Sequence, residues 1–237
     1  LTTHTDKVTG LSFSSASAKM LSSGKDGKML IWDTTAWTST ALADTSPTAR
    51  DGSIISPNGS WAVARYSRTV KVWSVAANIV VKTYDVGSGG VSAFALAWKP
   101  DSTTLAVAVY RAVNLYTVQG SDNPTAVAAD TIGYSMAFSP DNKYLAVGYN
   151  NSQTRLYDPG NGYAQYSRNI AGGTGLAFSP DSTRMTAASS GVFRVYDPTS
   201  ATSQVIAGPI YGESFKVAAI APSADGQSVF VAGSANY

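Results

Sequence analysis

The 237 residues contain no cysteine, a single histidine (His4) and a single glutamate (Glu213). Without cysteine there can be no disulfide, no thiolate nucleophile and no cysteine-based zinc site. One histidine cannot supply the three or four ligands a metal usually takes, and it leaves no persuasive Ser-His-Asp arrangement. No catalytic residue, metal or cofactor is therefore expected. Charged residues are scarce, at 14% of the chain against about 25% in a typical protein. The net charge of +2 is too small to imply steering toward nucleic acid. No apolar run reaches the roughly 18 residues that suggest a membrane-spanning helix, and no signal peptide stands in these residues. The absence of cysteine suits any compartment; an intracellular, cytoplasmic one is favoured but not fixed. Acidic residues are nearly all aspartate, which fits many turns and little helix.

What the chain has is a repeat. The stretches at 13–34, 55–75, 98–118, 138–159 and 178–198 share one pattern, and 220–237 begins a sixth copy. Their opening residues are Phe13, Ile55, Trp98, Phe138, Phe178 and Ile220, separated by 42, 43, 40, 40 and 42 residues. Helical solenoids have similar periods, but they need apolar residues at helical spacing. Here the apolar residues alternate and Val, Thr, Tyr and Trp abound, which argues for strands. Around residue 180 the pattern predicts strands at 175–178, 185–188, 192–196 and 204–207, with a turn at Ser179–Ser182 and a stop at Asp197-Pro198. Four strands per unit of about 40 residues predict the blades of a β-propeller. No Pro/Gly-rich linker interrupts the copies, so one domain over 1–237 is expected, as part of a longer chain with six or seven blades in all.

The unit resembles the WD repeat, most fully in the first copy, where Trp32-Asp33 closes the third strand. The resemblance implies a buried relay of His4, Ser23, Asp26 and Trp32, with Ser22 an alternative for the serine. Later copies keep Trp73, Tyr116, Tyr157 and Tyr196 at the tryptophan place and lose the histidine. The resemblance also implies a non-catalytic scaffold that displays loops to partner proteins in a multi-protein assembly. Two alternatives stand beside it. One is a structural coat or lattice subunit whose open edge is completed by a neighbour. The other is a lactonase- or quinoprotein-like enzyme, which the scarcity of polar and titratable groups disfavours.

Several local features could carry chemistry. Gly87–Gly90 and Gly172-Gly173 are glycine clusters, but no helix follows them as a phosphate loop requires, so they are expected to link blades. Asp101, Asp141 and Asp181 recur once per copy and are expected to shape turns rather than bind calcium. Trp37 is off-pattern and is either a contact or edge packing. The resemblance places partner binding on the face built from the turns between second and third strands. There Arg50, Arg65, Tyr66, Arg68, Tyr110 and Arg111 combine the residue types enriched at binding hot spots. They are expected to fork onto an acidic or phosphorylated peptide.

Overall fold

The computed structural model describes residues 3–43, 52–66, 68–86, 94–129, 131–173, 175–189, 192–200, 203–207 and 215–235. It is all-β: five four-stranded antiparallel blades and one two-stranded sheet. Blade one holds β1 (Val8–Phe13), β2 (Lys19–Gly24), β3 (Met29–Asp33) and β4 (Ser39–Ala41). Blade two holds β5 (Ser53–Ile55), β6 (Trp61–Arg65), β7 (Thr69–Ser74) and β8 (Ile79–Asp85). Blade three holds β9 (Ala95–Trp98), β10 (Thr104–Val109), β11 (Ala112–Thr117) and β12 (Thr125–Ala128). Blade four holds β13 (Gly133–Phe138), β14 (Leu145–Tyr149), β15 (Gln153–Asp158) and β16 (Ala164–Ala171). Blade five holds β17 (Gly175–Phe178), β18 (Met185–Ser189), β19 (Val192–Tyr196) and β20 (Ser203–Ala207). The sixth sheet pairs β21 (Phe215–Pro222) with β22 (Val229–Ala235). Each blade is a meander in chain order, as hairpin-linked strands dictate. Contacts gather the chain into two compact units, Leu1–Ala126 and Val127–Tyr237, with the boundary inside β12.

The turn between first and second strands shows why the repeat has its spelling. In blade five the Ser179 hydroxyl donates to Asp181 Oδ1 at 2.6 Å and accepts from the Arg184 amide at 3.0 Å. The same carboxylate oxygen accepts from the Thr183 amide at 3.1 Å. Ser139 with Asp141, Ser56 with Asn58 and Ser223 with Asp225 repeat the arrangement. The residue after the Asp or Asn is left-handed each time, with φ of 71° at Gly59, 62° at Ser102 and Asn142, 61° at Ser182 and 68° at Gly226. Small or turn-forming residues tolerate that region best. The aspartates thus spend their oxygens on their own turns.

Within each unit the blades pack through alternating faces. In the first unit Leu21, Met29 and Ile31 of blade one meet Ala62, Ala64 and Trp73 of blade two. Val63, Val72 and Tyr84 of blade two meet Trp98, Leu105 and Tyr116 of blade three. In the second unit Leu156 and Ile170 of blade four meet Phe178, Met185 and Tyr196 of blade five. In blades two, three and five the third-strand aromatic meets the preceding blade. Trp73 Nε1 donates to the Ala43 carbonyl at 2.7 Å, and the Tyr196 hydroxyl donates to the Ala171 carbonyl at 2.6 Å. Tyr116 instead stacks on Tyr84, ring centroids 4.0 Å apart. Turn serines add bonds between neighbours: Ser102 Oγ accepts from the Asn58 amide at 3.0 Å, and Ser182 Oγ from the Asp141 amide at 2.9 Å.

Candidate functional site

The relay of blade one is built where β2 and β3 lie side by side. Ser22 Oγ stands 2.8 Å from His4 Nε2 and accepts from Trp32 Nε1 at 2.8 Å. His4 Nδ1 lies 3.0 Å from Asp26 Oδ1. Asp26 also accepts from the amides of Thr5 at 2.9 Å and Lys28 at 3.1 Å, which pins the β2–β3 turn to the segment entering β1. His4, Asp26 and Trp32 are therefore joined, but through Ser22 and not Ser23. Successive strand residues face opposite sides, and Ser23 points away to accept from the Ser53 hydroxyl of blade two at 2.8 Å.

Burial pushes the Asp26 pKa up, but hydrogen bonds from Thr5, His4 and Lys28 outweigh it and hold the carboxyl at about 2. An unfolded aspartate titrates near 3.9, or roughly two units higher. The folded state therefore binds the proton less readily, so Asp26 stabilises the fold above about pH 4 and loses that contribution as pH falls toward about 2. The turn carboxylates of Asp101 and Asp141, where burial is likewise outweighed by hydrogen bonds, are also held low and add in the same direction. In urea titrations across this pH range, Asp26→Asn is expected to unfold with a shallower acid dependence than the parent. Equal slopes would remove Asp26 from the account.

The residues expected on the partner face divide once placed. Arg65 ends β6 and is half-buried; its Nη1 donates to the Phe94 carbonyl at the entry to β9. It braces blade two against blade three within the first unit. Tyr66 is not displayed: it is 8% exposed and packs with Leu21, Ala64 and Trp73, because the β-period carries its ring into the interface with blade one. Arg50 lies outside the described residues. Arg68 is exposed beside the β6–β7 turn. Tyr110 and Arg111 form the two-residue turn between β10 and β11, Tyr110 with 55% of its surface exposed. Arg111 sits at φ 59°. In the corresponding turns the left-handed residue is Gly27 in blade one and Ser152 in blade four. An L residue of Arg's size costs about 1 kcal/mol or more there relative to glycine. Lys7 and Lys25 of blade one, also exposed, lie at the same end of the blades, where second strands turn into third strands.

Sequence reasoning missed the bracing role of Arg65; a cation at the end of a second strand gave no sign of the carbonyl it reaches. Trp37, expected as either a contact or edge packing, is 54% exposed and left-handed at φ 54°. It occupies the turn between β3 and β4, away from the Arg68 and Arg111 turns. Among the described residues no three His, Cys, Asp or Glu side chains gather as a metal site. Among them, too, no helix is long and apolar enough to cross a membrane.

Comparison with known proteins agrees with the blade pattern. The family model described as "WD domain, G-beta repeat" matches residues 1–33 and 112–158. The first match spans the relay of blade one, and the second spans the third and fourth strands of blade three and most of blade four. No curated protein matches the chain. Propellers of this family generally serve as protein-interaction scaffolds and are typically non-catalytic. The family matches, the His4–Ser22–Trp32 relay and five four-stranded antiparallel blades together support a WD-repeat β-propeller.

Proposed function

We propose that this protein is a non-catalytic interaction platform that binds an acidic or phosphorylated segment of a partner through Arg68, Tyr110 and Arg111, as one subunit of a larger assembly. The observation that carries this reading is the Tyr110-Arg111 turn. An arginine occupies a left-handed position where blade one has glycine, next to a tyrosine more than half exposed. Backbone strain retained at a surface turn is a pointer to function, and variable loops on a fixed scaffold are where binding usually sits. Guanidinium forks match carboxylate and phosphate oxygens two at a time. Arg65 contributes from below, by holding the two turns in register. The reading treats residues 1–237 as one functional domain, since the repeat crosses the boundary at Ala126 without a change of period.

The test is affinity purification of the tagged protein from its natural source, beside an Arg68→Glu/Arg111→Glu variant of equal thermal stability. Partners captured by the parent are expected to fall by about tenfold or more with the variant, the scale of losing a desolvated charge pair. The loss is expected to be mimicked by raised salt, which screens exposed charges. An unchanged set of partners in the variant would move the contact elsewhere.

A further inference from the structure

Where the first turn of one blade meets that of the next, a serine closes the seam. The Asn58 amide of blade two donates to Ser102 Oγ of blade three at 3.0 Å, and the Asp141 amide of blade four donates to Ser182 Oγ of blade five at 2.9 Å. Between blades one and two the same left-handed position holds Gly59, at φ 71°. It has no hydroxyl to offer. A Cβ there would collide with Ser17 Oγ and stand 3.2 Å from Lys19 Cδ. Beside Gly59 a cavity of about 710 Å³ opens between the two blades, within the roughly 300–1,000 Å³ of ligand pockets. It borders the start of β2 and β6 and the end of β3 and β7, the opposite end of the blades from the Arg68 and Arg111 turns.

Ile31, Leu42 and Val75 give the cavity apolar walls, and Lys19 and Asp33 give it charge. These two lie opposite each other in the β2–β3 ladder, yet they are not equally engaged. Asp33 Oδ1 accepts from the Thr35 amide at 2.8 Å and the Ala36 amide at 3.0 Å. Lys19 is half-buried, and among the described residues its Nζ has neither an ion pair nor a hydrogen bond. The charge left to meet a ligand is therefore positive. Two exposed apolar side chains flank the cavity. Trp37, 54% exposed, precedes the lining residue Thr38, and Ile79, 53% exposed, follows the lining residue Asn78. Trp37 is held at φ 54° where blade two has Asn78 at φ 53°. Asparagine suits that region and tryptophan does not, and strain retained at a surface turn points to function. Thr40 of β4 also lines the cavity, and among the described residues β4 has no strand on its outer edge.

We propose that this groove between blades one and two docks an extended acidic segment of a partner protein, reading large apolar, any, large apolar, any, Asp or Glu. Alternate side chains of an extended chain face one way. Two apolar ones would therefore meet Ile31, Leu42 and Trp37, and the carboxylate would meet Lys19. The β4 edge offers main-chain bonds, and the walls select the side chains. Within the 237 residues this spelling occurs only at 29–33 and 193–197, in β3 and β19, which are already paired inside their blades. The occupant therefore comes from outside these residues. The groove is a second surface, independent of the basic turns.

The test uses the peptide Leu-Ser-Leu-Ser-Glu, amide-capped and carrying an uncharged fluorophore, titrated into the 237-residue protein and followed by anisotropy. Saturable binding is expected. Lys19→Gln and Trp37→Ala, at surface sites that leave the core intact, are each expected to weaken it about tenfold or more. The Gln peptide is expected to bind Lys19→Gln and the parent alike. Arg68→Glu/Arg111→Glu is expected to bind as the parent does. Absence of binding, or equal binding by the parent and Lys19→Gln, would overturn the proposal. So would loss of binding in the Arg68→Glu/Arg111→Glu variant, which would place the peptide on the basic turns. A dimer in sedimentation that Trp37→Ala splits would make a second copy the occupant and overturn the peptide assignment. A longer natural form of the protein is expected to bind as well; failure to do so would overturn the assignment to a partner.

Discussion

Ser22→Ala is expected to destabilise the protein by about 3 kcal/mol, against about 1 kcal/mol for Ser23→Ala. The two serines are neighbours and both are buried, so burial alone predicts no difference. The difference lies in what each hydroxyl satisfies. A hydroxyl offers one donor and two acceptor sites, and an indole N–H can only donate. Ser22 Oγ accepts from Trp32 and, with the histidine proton on Nδ1, donates to His4 Nε2; Nδ1 then donates to Asp26. Every step of this chain runs in one direction, from indole to carboxylate. Removal of the middle hydroxyl orphans two buried groups, on a Trp32 that is 3% exposed and a His4 side chain that is 7% exposed. Each orphaned group costs about 1–3 kcal/mol. Loss of Ser23 Oγ strands only the Ser53 hydroxyl, which can rotate. Urea unfolding followed by tryptophan fluorescence separates the two variants. A Ser22→Ala protein no less stable than Ser23→Ala would refute the relay as a unit of stability.

The same pair of residues shows how far the sequence could be read. Blades, strands and turns were legible because their signals are local: alternation over five or six residues, a Ser-Pro-Asp turn and an aromatic stop. The predicted strands at 175–178 and 192–196 coincide with β17 and β19, and the second and fourth differ by one residue at one end. The choice between Ser22 and Ser23 was not legible. It depends on which face of β2 each occupies, and a slip of one residue exchanges the faces. Pairing between β1 and β2 itself shifts register between Val8 and Gly10, so counting from the inner strand would not have settled it. Long-range polar bonds were illegible for a different reason. Ser102 and Ser182 read as ordinary turn residues, yet each accepts an amide from a blade more than 40 residues earlier. The partner face was legible in composition and not in geometry. Arg65, Tyr66 and Arg68 are close in sequence, but one braces, one is buried and one is exposed.

Trp73→Ala is expected to cost about 4 kcal/mol, the scale of a fully buried tryptophan truncated to a cavity. Trp73 has no exposed surface and belongs to two blades at once. It lies in β7, its ring is packed in one cluster with Ile31 and Leu42 of blade one, and its Nε1 holds the Ala43 carbonyl. Trp73→Phe keeps most of the packing and removes only the donor, so a loss of about 1–2 kcal/mol is expected from it. The gap between the two variants measures the ring's share of the wedge. In repeat architectures stability is a sum of unit terms and nearest-neighbour interfaces, so a defect at an interface also weakens the coupling between units. The alanine variant is therefore expected to unfold over a broader urea range, with a lower apparent slope, because blade one can open before blade two. A loss below about 2 kcal/mol, or an unbroadened transition, would mean that the serine bonds and aliphatic contacts between β1, β2 and β5 carry the coupling without the aromatic. The Arg68 and Arg111 turns sit on blades two and three, joined by Arg65 rather than by Trp73. The alanine variant should thus retain partner binding at temperatures where it is folded, and in that respect it differs from every charge-reversal variant of the turns.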